Sequence, residues 1–203
     1  MAVTPARAEA VEAILDGAES LLVEVGYAAI TTRKLAERAG VNHGLVHYYF
    51  GSMEEVFIQV LERYTAQLTA RQRELYASDR PFIEKWRAAM AHLVDDDEAD
   101  YQKIWFELQA MSWSRPEMRA RVGRILGEWQ SVLQPAFRAG LRELGVDTRR
   151  YPVEAVVSLV ATFNEGVILE RLMGADSGHA PLLNMIDRML VRMQREREKG
   201  PIG

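Results

Sequence analysis

The sequence predicts an all-α fold of about nine helices, and three observations carry that expectation. Apolar residues recur at helical spacing in nearly every segment, glycine and proline fall between the segments, and no stretch alternates with the period of a strand. No internal repeat or low-complexity tract interrupts the series. With 203 residues and 48% hydrophobic content, the chain can bury a proper core as one elongated unit or two small domains.

The start, MAVTPARAEAVEAIL, holds no signal-like apolar run, and no later stretch is long enough to span a membrane without charges. That pattern predicts a cytoplasmic protein. Cysteine is absent, which excludes a disulfide framework, a thiol nucleophile and thiolate metal sites.

Residues 1–8 read as a mobile arm. A first helix follows from Glu9 to Val25, because Val11, Ile14, Leu15, Ala18, Leu21, Leu22 and Val25 form one stripe, and Gly26 ends it. Tyr27 and Ile30 then pack back over the core.

The stretch from Ile30 to Phe57 is the most informative. Thr32 is placed to cap a short helix whose apolar line is Leu35, Ala36 and Ala39, and Gly40 stops it. Asn42 caps a second segment in which Val46, Tyr49 and Phe50 face inward, leaving His43, Gly44, Leu45, His47 and Tyr48 largely outward. Two short helices crossing closely at small alanines, with glycine in the turn, make a helix-turn-helix. The second helix is the expected DNA reader.

Ser52 with Glu55 reads as a capping box opening a longer helix, with Phe57, Val60, Leu61, Tyr64 and Leu68 on its buried face toward about Tyr76. Pro81 takes a first helical position ahead of Phe82, Trp86, Met90 and Leu93. The acidic run Asp95 to Asp100 lacks the glycine and terminal glutamate of a calcium loop and reads as a solvated turn. Tyr101 to Trp113 is helical, with both faces covered. Pro116 starts a long helix that Pro135 is expected to kink, running on through Phe137 and Leu141 to Gly145. Pro152 opens another, to about Met173. Pro181 opens the last, with Leu182, Leu183, Ile186, Met189, Leu190 and Met193 on one side, and the tail after Met193 frays.

From Thr31 to Phe57 the chain resembles, without a gap, the TetR family of one-component transcriptional regulators. The Ala-Gly-Val turn, Gly44, and the run Tyr48, Tyr49, Phe50 ahead of a capped helix carry the likeness; beyond Tyr64 it is architectural. The resemblance implies three helices in a DNA-binding head, residues 1–52, and a helical ligand-sensing and dimerisation body, residues 53–203. Two positions depart from the family pattern: Met53 stands where lysine is common, removing one phosphate contact, and His47 stands where tyrosine is frequent.

On that reading Thr32, Arg33, Lys34 and Tyr48 hold phosphates, and His43, Gly44, Leu45 and His47 meet base edges beside the capping Asn42, with Leu45 able to touch a thymine methyl. Arg7 is a secondary candidate for reaching DNA; a disordered end is the plainer reading of its segment. The net charge of −4 opposes a nucleic-acid partner. Its distribution answers in part, since Arg33, Lys34 and Arg38 form a basic edge while Glu9, Glu12, Asp16, Glu19 and Glu24 lie on the preceding helix.

Two-fold readers bind two half-sites, so a homodimer is expected on a double-stranded DNA operator. The last two helices are its expected interface, because Val153, Val156, Val157, Val160, Val167, Ile168 and Leu172 exceed what one flank needs. The resemblance also implies a small-molecule inducer, of unknown identity, in an apolar pocket of the body. Trp86, Met90, Trp105, Gln109, Trp113, Phe137 and Asn164 are its candidate lining, although such stripes are more often plain core. Asn164 lies in line with Val160, Val167 and Ile168, and a buried amide must bond to something: ligand, second subunit or water. Gln109 and Glu165 are of the same kind.

No metal or cofactor is expected. His43 and His47 have zinc-ligand spacing, but Gly44 sits where the HExxH pattern needs glutamate and no third ligand is evident. No nucleophile elbow or phosphate loop appears, and His92 and His179 stand alone, so the chain does not read as an enzyme. Acidity and Met53 favour one alternative, a dimeric helical scaffold that has lost DNA binding.

Overall fold

The computed structural model describes residues 5–95 and 99–199, with the backbone alone for residue 5 and residues 99–101. All regular structure among them is helical: α1 (Pro5–Val25), a 3₁₀ turn (Tyr27–Ala29), α2 (Thr32–Ala39), α3 (His43–Phe50), α4 (Met53–Ala77), α5 (Phe82–Leu93), α6 (Ala99–Ser112), α7 (Pro116–Glu143), α8 (Val153–Leu172) and α9 (His179–Glu198). None of these helices is long and apolar enough to cross a membrane. By compactness the described residues form two units, one up to Gln67 together with Asp100–Ile125, the other Leu68–Ala99 together with the residues from Leu126 on.

In the first unit, Ile14, Ala18 and Leu22 of α1 are fully buried against Leu35 of α2, Val46 of α3, and Phe57 and Leu61 of α4. Ile104 and Leu108 of α6 and Val122 and Ile125 of α7 complete that core. Charged side chains fasten its rim. Arg63 of α4 reaches Glu12 (3.3 Å), Asp16 (2.6 Å) and Glu19, all on α1. Arg121 of α7 binds Glu55 and Glu62 of α4, the latter at 2.7 Å. The Tyr27 amide donates to Glu107 Oε2 at 2.7 Å, and Lys103 Nζ donates to the Val23 carbonyl at 3.1 Å, satisfying an acceptor in the last turn of α1.

The structure corrects several expectations here. Residues 5–8, expected in a mobile arm, belong to α1, which starts on Pro5 because a proline costs nothing where the first amides lack partners; residues 1–4 lie outside the described residues. Val25 is 45% exposed, since the helix ends there and the chain turns away. Ser52 Oγ accepts the Glu55 amide at 3.1 Å, but the return half of the capping box is not made: the Glu55 carboxylate serves Gln59 and Arg121 instead. Of the acidic run, residues 96–98 lie outside the described residues and Ala99 and Asp100 already belong to α6.

The second unit is built on aromatic rings. Phe137 of α7 meets Phe82 at 5.3 Å and Trp86 at 6.5 Å, both edge to face, and Tyr76 at 6.2 Å. Pro81 is the residue before α5 rather than its first, and the free Phe82 amide donates to Glu143 Oε1 at 3.0 Å. Pro135 lies inside α7, whose Leu133, Phe137 and Leu141 are buried. Arg87 of α5 grips Asp187 of α9 with two nitrogens, at 2.6 and 3.0 Å, and holds that carboxyl below its ordinary range.

The valines read as surplus are spent inside this unit. Val153, Val157 and Val167 are buried in its core, and Val156, Val160 and Ile168 pack against it. The free face of α8 is a different stripe: Ala155, Leu159, Thr162, Gly166 and Leu169 are exposed at helical spacing, and Met173 follows just beyond the helix. Met189 of α9, expected on the buried side, is 54% exposed. α9 starts at His179, two residues before Pro181, and continues past Met193 to Glu198 rather than fraying there. His179 does not stand alone: its Nε2 lies 2.7 Å from Glu170 Oε2.

Gly140 is the most crowded glycine of the second unit. A Cβ there would sit 2.1 Å from the Phe82 ring, which is itself locked against Phe137. Gly140→Ala is therefore expected to lower stability by about 1–3 kcal/mol through overpacking, measured as a fall in the denaturant midpoint, despite the higher helix propensity of alanine.

Candidate nucleic-acid interface

The helix-turn-helix is fixed by three local devices. Thr31, not Thr32, is the residue preceding α2, and its Oγ1 accepts the Lys34 amide at 3.2 Å; Thr32 is the first helical residue and half-buried. The cap falls one position earlier than the sequence reading because Thr31 keeps extended backbone, at φ −114° and ψ 155°, as a capping residue must. Gly40 ends α2 in the left-handed region at φ 66°, where a Cβ is strained, and the Val41 amide returns to the Ala36 carbonyl at 3.0 Å. Asn42 then caps α3, its Oδ1 accepting the Gly44 amide at 2.9 Å.

Within α3, Val46 and Phe50 are buried and Tyr49 is half-buried against the first unit's core. That roots the helix by one face. His43, Gly44, His47 and Tyr48 are exposed, Tyr48 at 77%. Leu45, read as outward, is half-buried, so less of it is open to a partner than the sequence suggested.

The basic edge is largely committed. Arg38 holds Glu24 with two nitrogens at 2.6 and 2.7 Å and also donates to Ser20. Arg33 is exposed and bonded at 3.0 Å to Glu37, one turn along, and Lys34 Nζ donates to the Ala29 carbonyl at 2.9 Å. Arg38 is thus taken out of the surface charge that the sequence assigned to it.

The candidate ligand residues divide between the units. Trp86, Met90 and Phe137 are buried in the second core, and Asn164 is half-buried with its Oδ1 enclosed and without a partner among the described residues. Trp105 and Gln109 are half-buried on α6 in the first unit, and the Gln109 Nε2 is likewise enclosed and unpartnered. Trp113 is 72% exposed, because α6 ends at Ser112 and its inward stripe ends there too. Two further polar atoms of the second unit, Trp129 Nε1 and Gln72 Oε1, are enclosed without a partner among the described residues, and the sequence showed only an indole on the apolar line of α7 and a glutamine on α4. Among the described residues no three His, Asp or Glu side chains gather as a metal site would require.

Residues 14–60 match the family model described as bacterial regulatory proteins, tetR family. The helix-turn-helix of this chain thus matches that of the TetR family. The chain is 28% identical over 181 residues to the HTH-type transcriptional repressor AcnR of Corynebacterium glutamicum, covering 86% of the chain and 88% of that protein. It is 28% identical over 153 residues to the repressor KstR2 of Rhodococcus jostii, covering 74% and 72%. Among solved structures, the transcriptional regulator FadR from Bacillus subtilis in complex with stearoyl-CoA superposes with a TM-score of 0.73 at 20% identity, over 89% of this chain and 97% of that one, which establishes a shared fold.

The Arg38 pair makes a small part of the stability of this unit acid-sensitive. Glu24 is lowered from its ordinary 4.5 to about 2, first by the Arg38 hydrogen bonds and then by Ser20. A depressed carboxyl stabilises the fold above its unfolded value and ceases to as pH falls through its folded value. The stability difference between the protein and Glu24→Gln, followed by denaturant titration, should therefore be constant above about pH 4.5 and vanish by about pH 2.

Proposed function

We propose that this protein belongs to the TetR family and is a cytoplasmic, sequence-specific transcriptional repressor. It binds a palindromic operator as a dimer, is released by a small, largely apolar ligand, and is not a catalyst. The observation that carries the DNA-reading part is the division of α3: Val46 and Phe50 anchor it, and His43, Gly44, His47 and Tyr48 stand free on the opposite side. An eight-residue helix held this way is stiff enough to enter a major groove and has nothing of its own chain to contact there. Thr32, Arg33, Lys34 and Tyr48 are assigned to phosphates, and His43, Gly44, Leu45 and His47, behind the Asn42 cap, to base edges.

The repressor names of AcnR and KstR2 support the output, and the acyl-CoA bound to FadR supports a ligand-responsive body. For this chain the lining we assign is Trp86, Met90, Phe137 and Asn164 of the second unit. Release requires only that the ligand prefer a conformation in which the two reading helices no longer match the half-site spacing.

Dimerisation is assigned to α8 and α9. The stripe Ala155, Leu159, Thr162, Gly166, Leu169 and Met173 is apolar or small along its length, which suits close crossing of a second copy's helix. Met185 and Met189 on α9, 55% and 54% exposed, extend the apolar surface. Leu159→Glu should convert the dimer to a folded monomer in sedimentation velocity and abolish operator binding. A variant that remains dimeric would move the interface elsewhere.

DNA reading is tested with duplexes selected from a random library by the intact protein. Tyr48→Phe should weaken every duplex alike, by about 1–2 kcal/mol for the lost phosphate hydrogen bond, whereas Leu45→Ala should alter which duplexes are selected. Selection of no duplex at any salt concentration would favour the scaffold reading, which the net charge of −4 and the commitment of Arg38 to Glu24 keep in play.

A further inference from the structure

We propose that Arg7 is an additional backbone-phosphate contact, aimed at the duplex beside α3 by stacking on Tyr49. The inference rests on the DNA-reading assignment and concerns a residue outside the helix-turn-helix.

Three rings and charges run in line from α1 to the free face of α3. The Arg7 guanidinium lies 5.8 Å over the Tyr49 ring, and Tyr49 meets Tyr48 edge to face at 5.1 Å. Tyr48 is the most open aromatic of α3 and the proposed phosphate donor. Arg7 itself is exposed. A guanidinium over an aromatic face is oriented without losing its charge or its hydrogen-bond fork, the geometry that suits a phosphate.

The other arginines of this surface are spent differently. Arg38, Arg63 and Arg121 are each closed onto two or three acceptors, and Arg33 onto Glu37. Arg7 has no such rival on its own helix: the positions three and four residues on are Ala10 and Val11. Glu9, two residues on, lies on a different side of the helix from Arg7, and Glu12 is drawn to Arg63. α3 itself contains no lysine or arginine, and Met53 supplies no charge at the start of α4. A fixed cation with no acidic partner among the described residues, next to a reading helix without lysine or arginine, is the piece an otherwise acidic head needs to hold a polyanion.

The test compares the intact protein with Arg7→Ala and Arg7→Lys by fluorescence anisotropy. The probes are a labelled duplex selected by the unsubstituted protein and a scrambled duplex of equal length, over a range of salt concentrations. Arg7→Ala should weaken both duplexes by the same factor and lower the slope of log K against log salt by about 1 per subunit, while Arg7→Lys restores the slope and only part of the affinity. Circular dichroism should be unchanged, because the side chain is exposed.

An unaltered slope for Arg7→Ala, with Tyr48→Phe still weakening binding, overturns the role of Arg7 and leaves the DNA-reading assignment standing. A change of sequence preference instead of a uniform loss overturns the phosphate contact in favour of groove reading. Failure of the unsubstituted protein to select any duplex overturns both.

Discussion

Burial of two side chains, Val46 and Phe50, is what the exposed surface of α3 depends on. An eight-residue helix in water does not persist by its own hydrogen bonds. α3 persists because these two residues enter the core formed by α1, α2 and α4, each burial contributing about 1.5–3 kcal/mol. With the helix rooted by that face, rotation is no longer free. His43, His47 and Tyr48 are exposed because the geometry of a 3.6-residue turn leaves them no other place.

Charge is organised around the same unit. An acidic α1 packed beside α3 would repel phosphates, yet four of its five carboxylates are paired. Glu12, Asp16 and Glu19 converge on Arg63, and Glu24 on Arg38. These pairs are mostly exposed, so each adds little to stability; their consequence is local neutralisation, which lowers the repulsive field near α3. The same pairing removes Arg38 from the basic edge, so the positive potential has to come from fewer and better placed groups.

The second unit follows another rule. Its helices are apolar on more than one side, so packing leaves an excess. α8 shows this most plainly, with one valine line buried in its own core and a second stripe, from Ala155 through Leu169, open along the helix. Asn164 and Trp129 each keep an enclosed polar atom without a partner among the described residues, a cost that a purely structural core would avoid by using apolar residues.

The sequence by itself determined the all-helical class, the helix-turn-helix between Ile30 and Phe57, the stop at Gly40, the Asn42 cap and the inward pair on α3. All of these follow from spacing and backbone chemistry within a few residues of one another. Tertiary structure alone decided which partner each charge takes and which of two apolar faces is spent at home. Arg38 meets Glu24 and Arg63 meets α1 across long stretches of chain, and periodicity cannot tell one buried stripe of α8 from its exposed twin. The cap at Thr31, the exposure of Trp113 and the pairing of His179 with Glu170 were decided the same way, by where a helix ends and what stands opposite it, which the order of residues does not encode locally.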